Sequence, residues 1–159
     1  MLNSLKSIFF FIAFAAILFS ACAPENRIYE KHQSLSPNVE WLKTDKKTFE
    51  VAINDPASTY QFNLALRYAT GYMWNEAKII VEETSPSGIR KITPYTLKIR
   101  EDNGDYIGEA GYDIWDSTHL VERDYSYKED GKYTYVLSHD MPRDEFPFAM
   151  EIGLIIDKN

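Results

Sequence analysis

Apolar and polar residues alternate along most of this chain with a period of two. The clearest example is segment 60–68, where every second position is apolar: Tyr60, Phe62, Leu64, Leu66 and Tyr68. A period of two is typical of a β-strand, because successive side chains point to opposite faces. The segment therefore predicts a half-buried strand whose apolar side chains face a core.

The same alternation predicts further strands over 49–53, 95–99, 133–137 and 150–156. Ile79–Val81 is a short apolar run that indicates a more central strand, and Arg27–Gln33 is typical of an edge strand. Sequences rich in Gly, Pro, Asn and Asp separate these segments and predict turns at 54–56, 85–88, 102–104 and 129–131. We therefore predict an all-β fold, an antiparallel β-sandwich that is jelly-roll-like with about eight strands. Single helical turns are predicted at 75–78 and 117–120.

The N-terminus has a different pattern. Lys6 precedes the apolar stretch Ile8–Phe19, and the small residues Ser20 and Ala21 lead directly to Cys22. This order indicates a cleaved secretory signal peptide that forms a helix, and a cysteine after the cleavage site is similar to the lipobox of bacterial lipoproteins. In such proteins the thiol receives a diacylglyceryl group, with acyl chains such as palmitate. The predicted organisation is a signal peptide over 1–21, a lipidated linker over 22–27 and one β-sandwich domain over 28–159.

An alternative for this segment is an ordinary signal peptide cut near Ala21 or Ala23, which would leave an unmodified thiol. Cys22 is the only cysteine, so no disulfide can form within the chain, and stability must come from the core of the domain.

The net charge limits the possible partners. The formal charge of −7 argues against non-specific binding of nucleic acid, which requires clustered Lys and Arg.

Catalytic and metal-binding patterns are weak. The chain has no Gly-x-Ser-x-Gly motif, and its three histidines, His32, His119 and His139, lack the spacing of metal ligands. Acidic residues at 102–105, followed by Asp113 and Asp116, could supply oxygen ligands for calcium, but a polar hairpin turn explains them better. Because the residues offer no activated nucleophile and no matched acid–base pair, a hydrolase is the least favoured class of function.

Two groups of aromatic residues are candidates for contact with a partner: Tyr72 and Trp74, and then Tyr106, Tyr112 and Trp115. Exposed aromatic rings on a sandwich can dock a protein or stack on a sugar. The alternative is that these rings face the core or cover a sheet edge.

The order of several motifs resembles the gliding motility lipoprotein GldH family. They are Tyr29-Glu30, Trp41, Phe49, Asp55, the runs 84–88, 102–108 and 111–114, Gly131–Thr134, and His139–Met141. The resemblance implies an envelope protein anchored to a membrane through Cys22, which serves gliding machinery that shares parts with type IX secretion. The resemblance also implies no enzymatic activity and no cofactor, and no small-molecule substrate is expected. The expected partners are other envelope motility or secretion proteins. A glycan-binding lipoprotein of a nutrient-uptake system is the alternative function.

The leaflet can be predicted from the residues after the cysteine. Lipoproteins exported to the surface of such bacteria tend to carry an acidic run there, and this chain has only Glu25. We therefore expect the protein at the outer membrane, facing the periplasm.

Overall fold

The structure, a computed structural model, describes residues 24–159. These residues form eleven β-strands: β1 Arg27–Ser34, β2 Glu40–Leu42, β3 Lys47–Ile53, β4 Thr59–Ala69, β5 Glu76–Thr84, β6 Arg90–Lys98, β7 Glu109–Gly111, β8 Ile114–Ser126, β9 Gly131–His139, β10 Glu145–Pro147 and β11 Ala149–Lys158. Within that range, no helix is long and apolar enough to cross a membrane. The predicted signal peptide and Cys22 lie outside the described residues.

The strands form two main antiparallel sheets and a small pair. One sheet has the order β1-β11-β4-β8-β7, the other has the order β3-β9-β5-β6, and β10 pairs with β2. Strands β2, β7 and β10 have only three residues each, which leaves eight long strands. Renumbered from one to eight, these long strands have the orders 1-8-3-6 and 2-7-4-5, the jelly-roll arrangement of two Greek keys. The predicted all-β, jelly-roll-like sandwich is confirmed.

The core lies between the sheets and is rich in aromatic rings. The five apolar residues predicted to face it from β4 are at most 2% exposed. Phe62 on β4 crosses to the second sheet, where its ring lies 6.3 Å from Tyr95 and 5.3 Å from Tyr135. Stacked and tilted contacts of this kind add to the gain from burial.

Strand β4 is more buried than its alternation predicts. Asn63 and Ala65 point to the outer face, yet they are also buried. The strand is central, between β11 and β8, and the imidazole of His32 covers this face above Gly153. A Cβ on Gly153 would lie 2.6 Å from Nδ1 of His32, so a larger residue there would displace the ring.

Both predicted helical turns are wrong. Residues 117–120 lie inside β8, the longest strand, and residues 76–78 begin β5. Polar residues face inward from β8, which hides its alternation. Ser117 donates a hydrogen bond to the Leu66 carbonyl at 3.0 Å, and His119 Nε2 lies 3.0 Å from the Ser117 hydroxyl. These bonds satisfy the inward polar groups.

The sandwich has two ends with different contents. At the end that we call the linker end, Lys158 N–H donates to the Asn26 carbonyl at 2.8 Å, and the turns 54–58, 85–89 and 127–130 lie nearby. At the opposite end, the distal end, lie the connections 70–75, 99–108, 112–113 and 140–144. Strand β4 spans the distance with eleven residues, about 35 Å at the usual rise of a strand.

Candidate functional site

The structure brings together four of the five aromatic residues predicted as contact sites. At the distal end, Trp115 packs on Tyr106 at 5.2 Å between ring centroids, and Tyr72 packs on Trp74 at 5.6 Å. Tyr68 joins the two pairs, at 5.8 Å from Tyr106 and 5.9 Å from Tyr72. We call these five rings the distal aromatic cluster.

Hydrogen bonds fix the tyrosines of this cluster. Tyr72 is fully buried and donates to the Glu76 carbonyl at 2.6 Å, so its side chain belongs to the core. The Tyr106 hydroxyl accepts from Gly71 N–H at 2.8 Å and from Arg100 at 2.6 Å. Burial raises the pKa of Tyr68 to about 12, so this phenol stays neutral. The cluster therefore joins the loops of the distal end into one rigid unit.

The two tryptophans are only partly buried and reach the surface of the cluster. Trp115 Nε1 donates to the Thr70 hydroxyl at 3.2 Å. Trp74 lines an open groove of about 360 Å³, together with Asn75, Glu76, Lys78, Met141 and Pro142. Next to Trp74, Met73 is 62% exposed. The distal end thus offers apolar surface on a rigid support.

Tyr112 lies apart from the cluster, in the tight connection between β7 and β8. Its side chain is 101% exposed, and its backbone has φ of 63°. This left-handed conformation is uncommon for residues other than glycine, asparagine and aspartate. Tyr112 therefore places an exposed ring at a strained position.

A second site lies at the linker end and was missed by the sequence analysis. A cavity of about 390 Å³ is lined by residues of β6 and β8 and of the turns 85–89 and 127–130. Its wall combines aromatic rings, carboxylates and ammonium groups: Tyr125, Tyr127, Tyr133, Glu83, Glu122, Asp124, Glu129, Lys91 and Lys128, with Ser85, Ile89 and Ser126. We call it the tyrosine cleft.

The polar groups of the tyrosine cleft are already ordered. Tyr125 donates to Glu83 at 2.6 Å, and Tyr135 donates to the Tyr127 hydroxyl at 2.9 Å. Burial, together with the hydrogen bond to Glu83, raises the pKa of Tyr125, and burial raises the pKa of Tyr127. Both phenols therefore remain neutral at any physiological pH.

The remaining candidates have simple structural roles. His139 is 4% exposed and packs against Trp41 and Phe146 at 5.5 and 5.6 Å. Burial lowers its pKa below the ordinary 6.5, which favours a neutral imidazole. The acidic loop 102–105, for which calcium binding was the less favoured alternative, closes on itself, since Asn103 donates to Asp105 at 2.7 Å. Between residues 24 and 159, no group of three His, Cys, Asp or Glu residues has the geometry to hold a metal ion.

Comparisons with known proteins agree with the motif order. A family model described as GldH lipoprotein matches residues 27–156. A gliding motility lipoprotein GldH homolog of Christiangramia forsetii is 26% identical over an aligned length of 167, which covers 99% of this chain and 99% of that protein. The gliding motility lipoprotein GldH of Flavobacterium johnsoniae is 28% identical over 119 residues, 75% of this chain and 72% of that protein.

Solved structures match only at low identity. TmCBM61 in complex with beta-1,4-galactotriose gives a TM-score of 0.32 at 10% identity, over 80% of this chain and 68% of that one. The family GH115 glucuronidase BtGH115A gives a TM-score of 0.42 at 9% identity, over 86% of this chain and 18% of that one.

Proposed function

Because the chain belongs to the GldH lipoprotein family, we propose that it is a non-enzymatic component of the gliding motility machinery, with a structural or assembly role linked to type IX secretion. The observation that carries this proposal is the family match over residues 27–156, which includes nearly all of both sheets. The curated relatives are named as gliding motility lipoproteins.

Cys22 would provide the anchor in this proposal. Its thiol would carry a diacylglyceryl group, and the chain would lie at the outer membrane and face the periplasm. One acyl chain binds a membrane only marginally, whereas two or more anchor a protein stably. Cys22 is two residues before Pro24, so at most two Cα–Cα steps, roughly 8 Å, would separate the lipidated residue from the first described one.

The geometry of the domain supports a role in presentation. The anchor enters at the linker end, and the exposed Tyr112 and Met73 lie at the distal end. A rigid β-sandwich would hold these side chains about 35 Å from the linker end. Confinement to one leaflet raises the effective concentration of this surface near other envelope proteins. We propose that the distal end contacts those proteins.

A glycan-binding lipoprotein is the alternative, and it requires a planar row of exposed rings. In the residues that the structure describes, the ring planes of Tyr106 and Trp115 are inclined by 35° and those of Tyr72 and Trp74 by 58°. These rings form a packed cluster and not a planar row, so we favour the motility role over glycan binding. Binding of the domain on a glycan array would reverse that order.

Deletion of the gene, followed by complementation, tests the proposal. We expect the deletion strain to lose spreading on agar and secretion of surface proteins, and the wild-type chain to restore both. Complementation with Cys22→Ser removes the lipid but leaves residues 24–159 unchanged, and we expect it to fail. A deletion strain that spreads and secretes normally would contradict the proposed function.

A further inference from the structure

The tyrosine cleft already holds a cation from its own chain. Lys91 Nζ lies 4.7 Å from the centre of the Tyr125 ring, in the position of a cation–π contact. Lys91 is itself exposed on the edge strand β6, so an external cation could take its place without unfolding the sheet. The cleft is therefore built to receive an ammonium group over an aromatic face.

Carboxylates around this ring provide acceptors for such a group. Glu83 accepts one bond from Tyr125, and Glu122 accepts one from Tyr95 at 3.0 Å. A carboxylate has room for about four hydrogen bonds, so both retain free lone pairs. The cavity volume of about 390 Å³ is within the range of small-molecule sites.

The position of the cleft indicates which molecule could supply the external ammonium group. Asn159 donates to Asp124 in the cleft wall at 3.1 Å, and its neighbour Lys158 bonds to the linker at Asn26. The cleft and the linker thus share one end of the sandwich. At the rim, the side chain of Ile89 is 70% exposed, on a turn at the same end. An apolar side chain there suits contact with a membrane interface.

The net charge of the chain further restricts which lipid headgroup could bind. The chain is acidic, at −7 overall, so an anionic lipid surface would repel it. A zwitterionic headgroup with a primary amine avoids that repulsion. Its ammonium matches Glu83 and Glu122, and its phosphate matches Lys91 and Lys128 at the same cavity wall.

We propose that the tyrosine cleft binds the ethanolamine headgroup of a phospholipid in the membrane to which the chain is anchored. The ammonium group lies over the ring of Tyr125 and donates to Glu83 and Glu122, while Lys91 turns outward to the phosphate. This headgroup contact would fix the tilt of the domain and direct its distal end away from the bilayer. The choice of a lipid as the ligand rests on the proposed lipid anchor. The proposal that the cleft binds an ammonium group does not depend on that anchor.

Solution NMR of the unlipidated mature chain, made as Cys22→Ser, tests the site. The probe is glycerophosphoethanolamine, and glycerol phosphate is the control that lacks the ammonium group. We expect shift changes confined to the cleft with the first probe only. Glu83→Gln should weaken binding about tenfold, because it removes a charge-assisted hydrogen bond. The matched control Glu101→Gln, at the distal end, should leave binding unchanged.

Lys91→Ala should increase the affinity of the cleft for an ammonium group, and a variant that merely lost structure would not show this increase. It removes the internal competitor, so binding of ethanolamine alone should tighten, by about fivefold if one cation–π contact is released. No shift change at tens of millimolar probe, or equal binding of glycerol phosphate, would overturn the proposal. So would binding of a lysine peptide when the headgroup does not bind.

A photo-cross-linking residue at position 89 tests the lipid source in cells. We expect adducts to phosphatidylethanolamine by mass spectrometry, and adducts to proteins alone would overturn the lipid assignment. The two proposals can fail separately. A bare Cys22 with a cleft that still binds the headgroup would contradict the anchor only, and an acylated Cys22 with an inert cleft would contradict the headgroup site only.

Discussion

Replacing Tyr112 with Asn should make the protein more stable and less functional. In the residues described, the Tyr112 ring is fully exposed, and its backbone has φ of 63°. Most side chains destabilise the left-handed conformation by roughly 1–2 kcal/mol, whereas the short polar side chain of Asn can offset that cost with local hydrogen bonds. Because no burial offsets that cost at Tyr112, we expect Tyr112→Asn to raise the free energy of unfolding by about 1 kcal/mol. For a domain of this size the melting temperature should rise by about 3 °C.

Thermal unfolding of the Cys22→Ser chain, followed by circular dichroism, measures this effect. Tyr112→Phe is the matched control, since it keeps both the ring and the backbone strain, and it should leave the melting temperature unchanged. In cells, we expect Tyr112→Asn to impair spreading and Tyr112→Phe to support it. A Tyr112→Asn variant that melts lower than the parent would refute the strain argument. One that spreads normally would refute a role for Tyr112 in docking.

Three further perturbations have distinct expected outcomes. Gly108→Ala should destabilise the domain by more than 3 kcal/mol, roughly the sum of a steric clash and left-handed strain. The new Cβ would lie 2.5 Å from the Asp116 carbonyl oxygen. Gly104→Ala is the control, because its Cβ meets open space, and it should cost far less in the same urea titration. Acidification should lower stability through His139: its pKa is below 6.5 in the fold, so the unfolded state binds the proton first, and the free energy of unfolding should fall as pH drops below about 6.5. A His139→Phe chain with an identical pH profile would argue against this source. Tyr106→Phe should lower the free energy of unfolding by about 1 kcal/mol, because Gly71 N–H and Arg100 lose a partly solvent-accessible acceptor. A cost below about 0.5 kcal/mol, the scatter of surface changes, would contradict the rigid cluster.

Periodicity predicted the strands whose inward positions are mostly apolar. Strand β4 and strand β9 are examples, and their inward residues are buried as expected. Strand β8 escaped prediction because Ser117 and His119 face inward, and only the paired strand β4 supplies the carbonyl that satisfies Ser117. Local sequence does not reveal such a partner, since it lies about fifty residues away.

The two sites differ in how much the sequence could reveal. The distal aromatic cluster was predicted as two separate groups, because the joining ring, Tyr68, was assigned to the core of β4. The tyrosine cleft combines Glu83, Tyr125 and Tyr133 from three separate strands or turns, and only the jelly-roll topology brings them together. The pair Tyr125 and Tyr127, two positions apart at the end of a strand, was the one local signal.

Mass spectrometry of the N-terminal peptide, taken from the protein in its native membrane, tests the central claim most directly. The account predicts that the mature chain begins at Cys22 and that its sulfur carries a diacylglyceryl group. A chain recovered with an unmodified Cys22 thiol would contradict the lipid anchor, and with it the proposed position of the linker end at the membrane.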